Sequence, residues 1–109
     1  MLETVFGSKN KEKVLLFLTA RKEGYAREIA KYYSSSLSPI QNQLEKLEIG
    51  GVVTSRLRGK TRVYQFNPRY PFLNELTVLL EKSITFIQKE EQERLLLSRK
   101  RPRRKGKPL

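Results

Sequence analysis

The sequence predicts a mainly α fold with one small β-hairpin, an α+β class, and three observations carry that expectation. Ile40, Leu44 and Leu47 recur at i, i+4 and i+7, which gives a short helix one buried stripe. Gly50-Gly51 follows as a helix stop, because glycine enters the left-handed conformation at little cost. Residues 52–58 and 61–67 then flank Gly59-Lys60, a two-residue loop of the kind that closes a tight hairpin. A polar turn, a compact helix, a glycine stop and a basic hairpin in this order form the second half of a winged helix-turn-helix. The expected architecture is a winged helix-turn-helix over residues 1–71, a long C-terminal dimerisation helix over 72–98 and a disordered basic tail over 99–109.

From the start of the chain, Leu2, Val5 and Phe6 are possible anchors of a short lead-in. Ser8 caps a helix expected to run through about Ala20. Val14, Phe17 and Leu18 share a stripe that Leu15 and Leu16 widen, so this helix should be buried on more than one side. Lys9, Lys11 and Lys13 at its start oppose the helix dipole, and they read as solvated before they read as phosphate contacts. Residues 21–24 read as a loop. A second helix opens at Tyr25 and ends near Tyr33, with Ala26, Ile29, Ala30 and Tyr33 as its packing stripe. Tyr32 and Tyr33 read as packing residues rather than stacking platforms for bases. Arg27 and Lys31 are candidates for DNA-backbone contact, as are Ser34 and Ser35 in the turn Ser34-Ser35-Ser36.

The next helix carries a start signal in Ser38-Pro39-Ile40-Gln41. Ser38 can cap, Pro39 suits the first helical position, and Gln41 sits where a capping box wants Glu or Gln. Ser36 is a rival cap. Opposite the apolar stripe lie Ser38, Asn42, Glu45 and Lys46, flanked by Gln41 and Gln43. Gln and Asn can pair with an adenine edge, and Glu can accept from cytosine N4. Ser36, Ser38, Gln41, Asn42, Gln43, Glu45 and Lys46 are therefore the recognition-helix candidates. A solvated helix face would carry similar residues; the hairpin changes the balance. Residues 52–69 hold five basic side chains and no acidic one. Alternation puts Val53, Ser55, Leu57, Tyr64 and Phe66 on one face, with Arg62 joining them near the tip. Arg56 and Arg58 lie on the other face, and Lys60 is at the turn. A protected surface hairpin would mix signs, whereas a one-signed hairpin suits phosphate. Arg56, Arg58, Lys60 and Arg62 form the wing set.

Composition narrows the function classes. The chain of 109 residues has no Cys, His or Trp, and all 11 acidic side chains are Glu. Histidine bases, Cys/His zinc sites and Ser-His-Asp triads are therefore impossible within it. No Gly-rich phosphate loop is present, and neither a cofactor nor a metal is expected; the chain reads as a non-enzyme. The formal net charge is +12. Seven of the 23 basic residues and no acidic one fall in residues 99–109, so the rest keeps a balance of +5. A basic body with a more basic tail favours a polyanion, nucleic acid before an anionic membrane. No apolar run is long enough to span a bilayer, and the first residues lack a secretory pattern, so a cytoplasmic location is expected.

Asn67-Pro68-Arg69-Tyr70-Pro71 forms a proline-braced link after the hairpin. A single helix is then expected from Phe72 to about Ser98. Leu73, Leu76, Leu80, Ile84 and Ile87 make its stripe, and Phe72, Leu79 and Phe86 lie beside it at seven-residue spacing. So long an apolar face exceeds what a small domain covers, which predicts a symmetric homodimer. The dimerisation set is Phe72, Leu73, Leu76, Leu79, Leu80, Ile84 and Ile87. Folding back onto its own domain is the alternative.

Several stretches together carry a resemblance. They are Leu2-Glu3 with Phe6-Gly7-Ser8-Lys9, Tyr25-x-Arg27-Glu28-Ile29-Ala30, and Gln43-Leu44-Glu45-x-Leu47-Glu48. Tyr64-x-x-Asn67-Pro68 and Pro71-Phe72-x-x-Glu75-Leu76 complete the set. In this order they resemble small prokaryotic winged-helix transcriptional regulators of the ArsR and MarR kind, often found beside minimal nucleotidyltransferases. The likeness covers about residues 1–82. It implies DNA binding through residues 38–46 and 56–62, and it admits a nucleotidyltransferase as a protein partner. Metal sensing does not carry over, because the Cys and His ligands of ArsR-type sensors are missing, and neither does nucleotidyl transfer.

The expected function is a sequence-specific, double-stranded-DNA-binding transcriptional regulator, a homodimeric repressor acting on an inverted repeat. The alternatives are a nucleotidyltransferase-associated, antitoxin-like adaptor and a nonspecific DNA- or RNA-binding protein.

Overall fold

The computed structural model describes residues 1–87 and 89–97. The basic tail expected over 99–109 lies outside them. The described fold is mixed α+β, with six helices and one three-stranded antiparallel sheet. Among the described residues no helix is long and apolar enough to cross a membrane.

Two helices open the chain, α1 (Glu3–Phe6) and α2 (Lys9–Arg21). Ser8 caps α2 as its position suggested, its Oγ accepting from the Lys11 N–H at 3.1 Å. Val14 through Thr19 are all buried, so α2 is enclosed on every side and forms the axis of the core. Thr19 is tolerated there because its hydroxyl donates to the Leu15 carbonyl at 2.8 Å, which removes the cost of an unpaired buried group.

Residues 21–24 are not simply a loop. Lys22 turns the chain with φ of +75°, a left-handed conformation that costs a non-glycine residue about 1 kcal/mol. The turn delivers β1 (Glu23–Tyr25), which pairs with the far strand of the hairpin. Gly24 makes the docking possible: a Cβ there would sit 2.7 Å from Phe17 Cε1. Helix α3 (Ala26–Tyr32) follows, its start closed by Glu28, which accepts from the Tyr25 N–H at 3.3 Å.

Helix α4 (Leu37–Ile49) starts two residues earlier than a Ser38 cap would place it. Ser36 holds the cap position, although its side chain makes no capping bond, and Pro39 falls at the third helical position rather than the first. Proline remains acceptable there because first-turn N–H groups have no intrahelical acceptor. At the other end Gly51 adopts φ of +80°. Val52 N–H reaches the Leu47 carbonyl at 2.9 Å and Gly51 N–H the Glu48 carbonyl at 3.0 Å, the paired bonds of a Schellman stop.

Strands β2 (Val53–Arg58) and β3 (Thr61–Phe66) form the expected hairpin, with Arg58 opposite Thr61. Gly59 takes φ of +67° at the first turn position, as a two-residue hairpin loop requires of one or both central residues. The strand order is β1-β3-β2.

The C-terminal segment departs from the expected single helix. It is two helices, α5 (Leu73–Ile84) and α6 (Lys89–Leu97), with a turn between them. Both pack on α2 within the same core: Leu80 is 0% and Leu95 1% exposed. Leu95 lies eleven residues beyond Ile84, about 16 Å further along a continuous helix, too far to reach the same core. The break brings it back, so part of the folding-back alternative is realised. Arg21 fixes the return, its Nε donating to the Leu95 carbonyl at 3.1 Å while its guanidinium lies over the Phe17 and Tyr32 rings. The Arg94 guanidinium also lies over the Tyr32 ring, 4.3 Å from its centroid, and donates to the Tyr32 carbonyl at 2.6 Å. Burial, reinforced by donation to Glu91, pushes the Tyr32 hydroxyl up to about 12.

Candidate nucleic-acid interface

Helix α4 buries Ile40, Leu44 and Leu47 against the core. That rotation leaves Ser38, Gln41, Asn42, Glu45 and Lys46 exposed along the opposite side, with Ser36 exposed at its start. Ile49 continues the row at 87% exposure. Gln43 departs from its flanking role: it is half-buried, and its Oε1 is covered without a partner among the described residues. Gln43 is therefore less accessible than the rest of the α4 row in this conformation.

The hairpin is held at a set angle to α4. Asn67 Nδ2 donates to the Gly51 carbonyl and its own N–H to the Val52 carbonyl, each at 2.9 Å. Ser55 Oγ donates to Glu48 Oε2 of α4 at 2.7 Å. Arg62 Nη1 in turn donates to Ser55 Oγ at 2.9 Å, across the face that looks toward α4. The expected pairing of faces is present: Ser55 opposes Tyr64 and Leu57 opposes Arg62. Burial raises the Tyr64 hydroxyl above its ordinary value, with the Glu48 charge adding to the effect.

Between α4, the start of α3 and the hairpin runs an open groove of about 480 Å³. Arg27, Gln41, Glu45, Lys60 and Arg62 line it, with Tyr64 on its wall. Among the described residues the cations of this groove form no ion pair. The groove thus gathers three cations, Arg27, Lys60 and Arg62, with one carboxylate, Glu45, beside a polar helix row.

Arg56 and Arg58 stand on the other hairpin face, where strand β1 supplies a carboxylate. Glu23 accepts from Arg58 Nη1 at 2.9 Å and from Arg56 Nη2 at 3.2 Å. Arg56 also donates to Gln65 Oε1 at 3.2 Å. The Arg58 hydrogen bond holds the Glu23 carboxyl below the usual range, and the same bond raises Arg58. The hairpin is one-signed in sequence but not in the sheet. Of the four wing candidates, Lys60 and Arg62 therefore share the α4 groove, and Arg56 and Arg58 do not.

The backbone candidates also divide. Arg27, Lys31 and Ser34 are exposed. Ser35 is half-buried and accepts from Lys13 Nζ at 3.2 Å. Ser34 takes φ of +53° in the turn between α3 and α4. Tyr32 is buried against Phe17, and Tyr33 packs edge-on to Tyr32, so neither ring is free to stack on a base.

The dimerisation set is split by the fold. Leu80 and Ile84 are core residues, and Leu76 and Ile87 pack against that core. Leu73 is half-buried, while Phe72 and Leu79 remain exposed. Leu80 and Ile84 thus serve the chain's own core.

Glu23, Arg21 and Arg94 escaped sequence reasoning. Glu23 sits in a three-residue strand, too short to show alternation, and the two arginines act through contacts more than sixty residues apart in sequence or across elements. No group of three or more His, Cys, Asp or Glu among the described residues could hold a metal. Comparison with protein-family models, curated proteins and solved structures returns no match.

Proposed function

We propose that the chain is a double-stranded-DNA-binding transcriptional regulator of the winged helix-turn-helix type. In this reading α3, the serine turn and α4 are the helix-turn-helix, and β2–β3 is the wing. The observation that carries it is the groove shared by Arg27, Gln41, Glu45, Lys60 and Arg62 beside the exposed row Ser38, Asn42 and Lys46. Lys60, Arg62 and Arg27 hold phosphates and set the register, and Gln41, Asn42 and Glu45 sample base edges. Two such units related by a two-fold axis select an inverted repeat, with half-site centres about 34–36 Å apart or a multiple of that.

The test is selection from a random duplex library at two salt concentrations, with the full chain and with a version ending at Ser98. Enrichment of an inverted repeat by both is the expected result, and Asn42→Ala should then relax the preference at one position by about 1–3 kcal/mol. Retention without enrichment, lost with the tail or at moderate salt, would overturn the regulator reading in favour of nonspecific binding.

A further inference from the structure

The end of the hairpin carries one apolar side chain that neither the core nor the α4 groove uses. Leu57 is 61% exposed and lies outside the buried cluster. It is the one large apolar residue in 54–62, a stretch that also holds Arg56, Arg58, Lys60 and Arg62 and no acidic residue. A single exposed leucine is ordinary on a protein surface. The position and the company of Leu57 are what give it meaning.

Leu57 sits on the edge strand β2, opposite Arg62 of the middle strand. Ser55 shares its face, and Ser55 Oγ donates to Glu48 of α4 at 2.7 Å, so this face looks toward α4. Arg62 bonds the same hydroxyl at 2.9 Å. At the usual rise of a strand, Leu57 stands about 7 Å beyond that anchored point, on the way to the turn. The base of the hairpin is thus braced against α4, and Leu57 projects from its free end.

A surface built for another protein gathers apolar neighbours at its centre and sheds charge there. Leu57 has the reverse, since the charged residues flanking it are all cations. Cations around one aliphatic group suit a polyanion with an apolar interior, which is what stacked bases between two rows of phosphates present. A minor groove about 6 Å wide excludes a helix but admits a side chain.

We infer that Leu57 is a wedge: it enters the minor groove beside the α4 site, parts two stacked base pairs and bends the duplex, while Lys60 and Arg62 hold phosphates of the opened step. This rests on the proposed DNA-binding reading and adds a second source of selectivity to it. The gain from removing one leucine from water is of the same order as the cost of parting one base step. The balance favours insertion where stacking yields most easily, at the pyrimidine–purine steps TA and CA/TG. The wing thereby selects a deformable step without a hydrogen bond to any base edge.

The test uses the full chain and two duplexes that carry a donor dye at one end and an acceptor at the other. They differ only in that the TA steps of one are replaced by stiff A-tract steps in the second. The unaltered protein should raise energy transfer on the TA duplex, to an extent matching a bend of about 20–90°, and should bind it about threefold more tightly than the other. A 2-aminopurine in place of the adenine of a TA step should brighten as it unstacks. Leu57→Thr keeps the strand propensity of the position; it should still bind, yet lose the bend, the fluorescence and the preference together. Leu57→Phe should restore all three. Matching circular dichroism of the variants shows that the fold is retained. Binding that brings the ends no closer, or a bend that Leu57→Thr leaves in place, would overturn the wedge and leave the α4 groove reading standing. Failure of the unaltered protein to bind either duplex would remove both.

Discussion

Arg58 and Arg62 stand four residues apart on one hairpin, and their nearest partners differ in charge. Arg62 meets the neutral hydroxyl of Ser55 on the side facing α4. Arg58 meets the carboxylate of Glu23 on the opposite side, which Arg56 shares. An ion pair exposed to water is worth little to stability, but it decides what a cation can offer a phosphate. Arg62 can approach a polyanion by giving up one neutral hydrogen bond. Arg58 must bring a phosphate close to a carboxylate or leave that carboxylate behind. The number of arginines on a face therefore does not set its attraction for nucleic acid.

The difference depends on β1, so displacing β1 should have the largest effect. Gly24→Val forces a branched side chain into the space of the Phe17 ring and should lower unfolding free energy by about 2 kcal/mol, measured by urea titration. A variant as stable as the original would mean that the strand docks without needing this close approach. Next in size, Arg62→Ala should weaken binding to all duplexes and reduce the salt slope by about 1. Arg58→Ala should change that slope less, because part of its charge already serves Glu23. Equal slope changes for the two would erase the distinction between the faces.

A smaller effect comes from Glu23→Gln, which releases both arginines. Affinity at low salt should rise by about threefold and the salt slope should steepen; an unchanged slope would place that face away from DNA. The smallest effect is in the titration of Glu23 itself. Its carboxyl is held below the ordinary 4.5, so the stabilisation is complete above that pH and is lost only as acidity passes the lowered midpoint. Carboxyl chemical shifts followed by NMR should show Glu23 titrating below the other exposed glutamates, and a midpoint at the ordinary value would mean the bridge is absent in solution.

How much could be read from sequence follows from what each element depends on. Helix α2, helix α4 and the hairpin register follow local rules, namely a 3.6-residue stripe, a glycine stop and a two-residue turn. They were legible for that reason. Strand β1 has three residues and exists because β3 offers a free edge, which nothing within residues 23–25 announces. The break between α5 and α6 contains neither glycine nor proline. It is set by Leu95 returning to α2, with Arg21 and Arg94 gripping Tyr32 from separate helices. The candidate groove was half legible. Periodicity fixed which α4 residues face outward, but the sign of the charge around Arg56 and Arg58 required a strand whose Glu23 lies 33 and 35 residues upstream of them.

The β1–β3 pairing has a kinetic side. Joining Glu23 to Gln65 closes a loop of about forty residues that contains α3, α4 and the hairpin turn. Hairpins close in microseconds, whereas long-range pairings raise contact order and slow the rate-limiting step. The middle strand of the sheet is thus expected to acquire its second neighbour after the hairpin has formed. Strengthening the hairpin turn should speed an early event without completing the sheet, whereas trimming the enclosed segment would shorten the search itself.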